Sequence, residues 1–123
     1  MMNFNQKLVL SHNNLILIEQ LAEASNIFSR LKGLLGTQSL QSNQGLWILR
    51  CNSIHTFFMK FDIDCLFLSR EMKVIDWRTN IPRRRMIAPI WKATSVVETS
   101  AGVIQQMIDK KQIHQGDKLH VCS

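Results

Sequence analysis

The spacing of apolar residues changes period along the chain. Leu15-Ile16-Leu17-Ile18 follows the turn-forming Ser11-His12-Asn13-Asn14 and predicts a strand. In residues 22–36, Ile27, Leu31, Leu34 and Leu35 recur at helical spacing. This predicts a short helix, with Gly33 weakening its last turn and Gly36 stopping it. Residues 37–45 are polar and read as a loop ending at Gly45. Leu46-Trp47-Ile48-Leu49-Arg50-Cys51 is a strand candidate, rich in branched and aromatic side chains.

Ile63-Asp64-Cys65-Leu66-Phe67-Leu68-Ser69 is apolar at nearly every position, the pattern of a strand buried on both faces. Arg70-Glu71-Met72 interrupts it and Lys73-Val74-Ile75-Asp76-Trp77 resumes, which predicts a hairpin. Residues 78–93 hold both prolines and read as a long surface loop. Thr94 to Thr99 is a further strand. Residues 100–113 predict a helix with Ser100 as N-cap, the stripe Val103, Ile104, Met107 and Ile108, and lysines at its end. A turn at Gly116-Asp117 then leads into a last strand. The sum is about six strands and two short helices, with strands adjacent in sequence. The expected fold is α+β and β-dominated, a compact, mostly antiparallel sandwich or barrel-like sheet.

Composition places this pattern in a globular protein. The chain has 123 residues, of which 46% are hydrophobic and 20% charged, which suits one domain over residues 1–123. A domain of this size buries roughly two-thirds of its unfolded surface and needs no disulfides. The net charge of +6 allows an anionic or acidic partner without requiring one. The opening residues carry one lysine and a three-residue apolar run before Ser11, which is not a secretory signal. Leu15–Ile18 is far short of the ~20 apolar residues of a membrane span. A cytoplasmic location is therefore expected, with Cys51, Cys65 and Cys122 as thiols. No C-x-x-C pair, nucleophile elbow, P-loop or dinucleotide fingerprint occurs.

Chemistry-bearing residues concentrate in residues 51–65. Cys51, His55 and Met59 are spaced i, i+4, i+8, and sulfur with imidazole suits Cu(I) on a helix face. Thr56, Phe57 and Phe58 disfavour a helix, and in a strand eight residues span ~26 Å. No metal or cofactor is therefore expected. His55 lies within an apolar motif, whereas His12, His114 and His120 lie in polar or terminal segments. Its ordinary pKa suits proton transfer, and Asp64 or Glu98 could orient it. The alternative is that Asp64 is a buried structural acid paired with Arg30 or His55, and this is preferred. Arg78, Arg83, Arg84, Arg85 and Lys92 lie beside Trp91 in a stretch without acids. Such a segment can grip a nucleic-acid backbone, meet an anionic ligand or an acidic protein, or simply be solvated. Ile87, Ile90 and Trp91 on the same loop could pack a dimer or close a pocket.

The ordered segments 30–36, 45–48, 51–69, 73–75, 96–102 and 116–119 resemble a bacterial and archaeal family, domain of unknown function 192. The resemblance covers about residues 28–121. Its matching positions are Arg30, Gly33, Leu34, Cys51, His55, Thr56, Met59, Ile63, Asp64, Phe67, Glu98, Gly102 and Asp117. Asp62, Cys65 and Thr99 depart from it, standing where proline, a small aliphatic residue and leucine are usual. The resemblance implies a small β-sandwich or barrel-like fold and no established activity. It also suggests an accessory of pilus or secretion machinery. The preferred reading is a non-catalytic, cytoplasmic ligand- or protein-binding domain. Its surface would comprise His55, Thr56, Arg83, Arg84, Arg85 and Trp91, with Arg30, Asp64, Glu98 and Asp117 as polar support. The partner would be a protein or a small anionic ligand. Two alternatives are an enzyme using His55 with Asp64 or Glu98, and a nucleic-acid binder using Arg83–Arg85.

Overall fold

The computed structural model describes residues 3–25, 40–55 and 61–123, with His55 placed by its backbone pairing. Nine strands are described: β1 (Gln6–Leu10), β2 (Leu15–Ala24), β3 (Gln44–Leu49), β4 (Ile54–His55), β5 (Ile63–Leu68), β6 (Val74–Ile81), β7 (Met86–Ile87), β8 (Ser95–Ser100) and β9 (Leu119–Cys122). The described helix, α1, spans Val103–Asp109. Seven strands form one sheet in the order β6-β5-β8-β3-β2-β1-β9, and β4 pairs with β7 in a separate ribbon. The protein is thus β-dominated, as its apolar pattern requires. The sheet is mixed, because β2 and β3 run parallel while its other pairings are antiparallel.

The sheet does not close into a barrel. Its two edges, β6 and β9, meet only at one end, through an isolated bridge between Lys73 and Lys118. Three backbone hydrogen bonds secure that corner: Val74 N to Asp117 O at 2.9 Å, Gly116 N to Val74 O at 2.8 Å and Leu119 N to Met72 O at 2.9 Å. The turn before β9 needs a left-handed residue, and Gly116 supplies it at φ 88°.

Burial on both faces explains the unbroken apolar run of β5, whose six residues are all buried. On one face Leu66 and Leu68 join Leu8, Leu21, Val97, Ile104 and Met107. This is the layer covered by α1. On the other, Ile63, Cys65 and Phe67 join Ile48, Ile54, Ile81 and Val96, with Ile87 and Ile90 packed against them. The ribbon and the 82–94 loop cover this second layer.

Several boundaries differ from the sequence expectation. Ala22, Glu23 and Ala24 continue β2 rather than beginning a helix, and the rest of the predicted first helix lies outside the described residues. Strand β1 was not expected, since its three-residue apolar run Leu8-Val9-Leu10 is short; pairing with both β2 and β9 makes it an interior strand. Arg78–Ile81 belong to β6, so the basic loop begins later than its composition suggested. Residues 51–65 are not one strand. A bend at Cys51–Ser53 leads to β4, and β5 starts afresh at Ile63.

Gly45 in β3 lies closely against both neighbouring strands, β2 and β8. A Cβ there would lie 2.8 Å from Ile18 Cδ1 and 3.3 Å from the Glu98 carbonyl oxygen. The Ile18 side-chain tip can swing aside; the β8 backbone cannot. Gly45→Ala should therefore destabilise the protein by about 1–2 kcal/mol through overpacking. Urea unfolding checks this, and an unchanged or raised midpoint would show that the strands part without strain.

Candidate functional site

Alternation along β5 places Asp64 on the same face as Leu66 and Leu68, toward α1. Its side chain is wholly buried. A buried carboxylate needs partners, and here they are backbone amides. Asp64 Oδ2 accepts hydrogen bonds from Gly102 N at 2.9 Å and Gln105 N at 3.0 Å, and Oδ1 accepts one from Asn80 N at 2.7 Å. The first two donors belong to the start of α1, where helix geometry leaves N–H groups without intrahelical acceptors. Gly102 is the N-cap residue, at φ 99°, and has no side chain to supply a cap. A strand carboxylate supplies it instead, and its negative charge suits the positive end of the helix dipole. Ser100, expected as the N-cap, ends β8, and its hydroxyl donates to the Leu40 carbonyl.

The third donor reports on the β5–β6 pairing. The register passes from Ile63 opposite Ile81 to Cys65 opposite Arg78, so β6 carries an extra residue there. Asn80 sits in that bulge with φ 54°. Its N–H turns inward to Asp64 instead of joining the ladder.

Glu98 lies on the opposite face of the sheet. It is wholly buried in β8, across from Leu46 of β3 and Cys65 of β5. Asp64 is across from Thr99, one position along. The two acids therefore point to different layers, and a single site on either face holds at most one of them. Asp117 lies at the closing corner, where Oδ2 accepts the His114 N–H at 2.9 Å.

The ribbon brings two other sequence candidates together. His55 is registered opposite Met86, and Ile54 opposite Ile87. Pro82–Arg85 lead directly into Met86, so the His55 backbone sits against the residue that follows the three arginines. Arg83, Arg84 and Arg85 are exposed, with Arg84 held at φ 62°. Met86 is 68% exposed and Trp91 83%. Ile87 and Ile90 are half-buried, packed against the second core layer. The loop thus has an apolar underside and a cationic, aromatic outer face. Arg78 is not part of that face: it pairs with Asp76 at 2.7 Å and donates to the Trp77 carbonyl.

The sulfur candidates are dispersed. The buried Cys51 thiol donates to the Ser53 carbonyl at 2.9 Å, Cys65 is sealed within β5 and Cys122 is exposed at the end of β9. Among the described residues, no three His, Cys, Asp or Glu side chains are grouped so as to hold a metal ion. Arg30, Thr56 and Met59 lie outside the described residues, and so do Gly33 and Leu34. Among the described residues, no helix is long and apolar enough to cross a membrane.

Sequence reasoning did not single out Arg50 and Arg70, which line one cleft together with Cys51, Asn52, Ala93 and Thr94. The two arginines stand in separate connecting segments with no shared local pattern. Only the tertiary pairing brings them together.

With this geometry in place, comparison with known proteins gives a consistent result. The model of domain of unknown function 192, described as an uncharacterised ACR, matches residues 10–121. Two crystal structures are similar in fold. One is a protein of unknown function from Novosphingobium aromaticivorans DSM 12444, 16% identical, with a TM-score of 0.73 over 94% of this chain and 82% of that one. The other, from Sinorhizobium meliloti 1021, is described as a "putative transcription regulator" and is 13% identical, with a TM-score of 0.72 over 98% of this chain and 97% of that one. At these identities the likeness concerns the fold alone. No curated protein matches the chain.

Asp64→Asn tests the carboxylate's structural role. The amide keeps one acceptor oxygen and turns an N–H₂ group toward at least one of the three backbone donors. Leaving a buried donor unsatisfied and removing the charge should lower unfolding stability by about 2–4 kcal/mol. Urea denaturation measures it; a loss below about 0.5 kcal/mol would contradict the role given to Asp64.

Proposed function

The chain belongs to the domain of unknown function 192 family, and on that premise we propose that it is a non-catalytic binding domain that docks an acidic protein segment. The observation that carries this reading is the outward face of the 82–91 loop. Three consecutive exposed arginines stand next to the exposed Met86, with the exposed Trp91 five residues further on. Arginine, tryptophan and methionine are the residue types enriched where proteins recognise proteins. Guanidinium groups match carboxylates in bidentate geometry, and the net charge of +6 steers an acidic partner toward the surface.

The ribbon makes this face a fixed platform. Its register sets the His55 backbone opposite Met86, the residue that follows the arginine turn. Ile87 and Ile90 anchor the loop to the core, so the arginines are displayed from a packed base. Asp64 and Glu98 belong to the interior and support the scaffold. A cytoplasmic accessory beside pilus or secretion components fits this reading, because that role asks for docking and no chemistry.

A glutamate-rich peptide carrying one aromatic residue is the direct probe, titrated calorimetrically beside a short single-stranded oligonucleotide at physiological salt. The peptide should bind saturably. Replacing Arg83, Arg84 and Arg85 together by Gln should weaken it by at least about tenfold while the protein stays folded. Equal peptide affinity in the triple variant would overturn the reading. Saturable binding of the oligonucleotide alone, lost in the same variant, would assign the loop to nucleic acid instead.

A further inference from the structure

We propose that the cleft between Arg50 and Arg70 is a second binding site, built for a small polyanion bearing phosphate or carboxylate groups. It lies apart from the 82–86 turn, between the bend after β3, the β5–β6 turn and the segment entering β8. Its volume is about 390 Å³, the size of a small-molecule site. Its lining is Arg50, Cys51, Asn52, Arg70, Ala93 and Thr94, which includes two cations and no acid. Among the described residues, neither guanidinium makes a hydrogen bond or an ion pair. Two free guanidiniums at one cleft favour an anion that both can grip, and the Asn52 amide and Thr94 hydroxyl add neutral donors.

The walls are held before any ligand arrives. Cys51 N donates to Thr94 O at 3.1 Å, Thr94 N to Leu68 O at 2.8 Å and Ile90 N to Asn52 O at 2.8 Å. These bonds staple all three segments, so binding would need to order only side chains. The floor is apolar and rigid, with Cys51 and Ala93 buried in the second core layer.

Arg50 adopts φ 52°, a left-handed conformation that favours glycine over arginine and that six other non-glycine residues among those described also adopt. This makes Arg50→Gly a discriminating variant, because relief of strain and loss of ligand contact pull in opposite directions.

The test uses the full chain with pyrophosphate and citrate as separate probes, titrated calorimetrically against sodium chloride of equal ionic strength. At least one probe should bind saturably with one-to-one stoichiometry. Arg50→Gly should weaken it by at least about tenfold while the melting temperature stays the same or rises. Arg70→Gln should weaken it similarly, and the Arg83, Arg84, Arg85 triple variant should leave it unchanged. Stronger binding of pyrophosphate assigns the site to phosphate ligands, and stronger binding of citrate to carboxylates. No saturable binding of either probe would overturn the proposal, as would undiminished binding in Arg50→Gly. Loss of binding only in the triple variant would overturn it too, returning anion recognition to the 82–91 loop.

Discussion

One carboxylate holds three parts of this fold in register. Asp64 sits in the strand with the most complete burial, where a charge is expensive unless its partners are fixed. Its acceptors collect N–H groups from the β6 bulge and from the start of α1. The bulge and the helix start both present backbone donors that regular pairing does not use. Joining them to one buried acceptor makes the helix position depend on the sheet pairing. Helix α1 is only seven residues long and has no capping side chain of its own, so intrinsic propensity could not hold it there. Ile104 and Met107 pack into the core because the carboxylate fixes where the helix begins.

This arrangement divides the polar residues by task. Asp64 is committed to backbone amides on the helix side. Glu98 is buried in the other layer, beneath the ribbon and loop side of the sheet. The cations of the two proposed sites stand outside both layers, on connections rather than strands: Arg50 after β3, Arg70 between β5 and β6, and Arg83 to Arg85 before β7. Recognition on loops carried by a stapled sheet is a common division of labour. The proposed partner surface and the proposed anion cleft both follow it.

Much of the fold was legible in the sequence because strong periodicity and burial coincide. The continuous apolar run of β5 announced a strand buried on both faces, and the Val103, Ile104, Met107 stripe announced α1. The β-dominated class and the family followed from such segments taken in order. The misplacements have physical causes. The bulge at Asn80 continues β6 through polar residues that read as loop. Strand β1 is short, and only its two neighbours reveal it as interior. The helix cap was assigned to Ser100 because a local rule names the nearest hydroxyl, whereas the acceptor is 38 residues away from Gly102. The Arg83–Arg85 cluster was visible because its members are contiguous. Arg50 and Arg70 were not, since only folding places them on one cleft.

Residue-resolved amide hydrogen exchange in native and Asp64→Asn protein tests the central claim most directly. If the carboxylate fixes the helix to the sheet, exchange at Asn80, Gly102 and Gln105 accelerates by at least about tenfold in the variant. The amides pairing β3 with β8 should lose only the protection that follows from lower global stability. Equal protection of Gly102 and Gln105 in the two proteins would contradict the account, because α1 would then keep its place without Asp64.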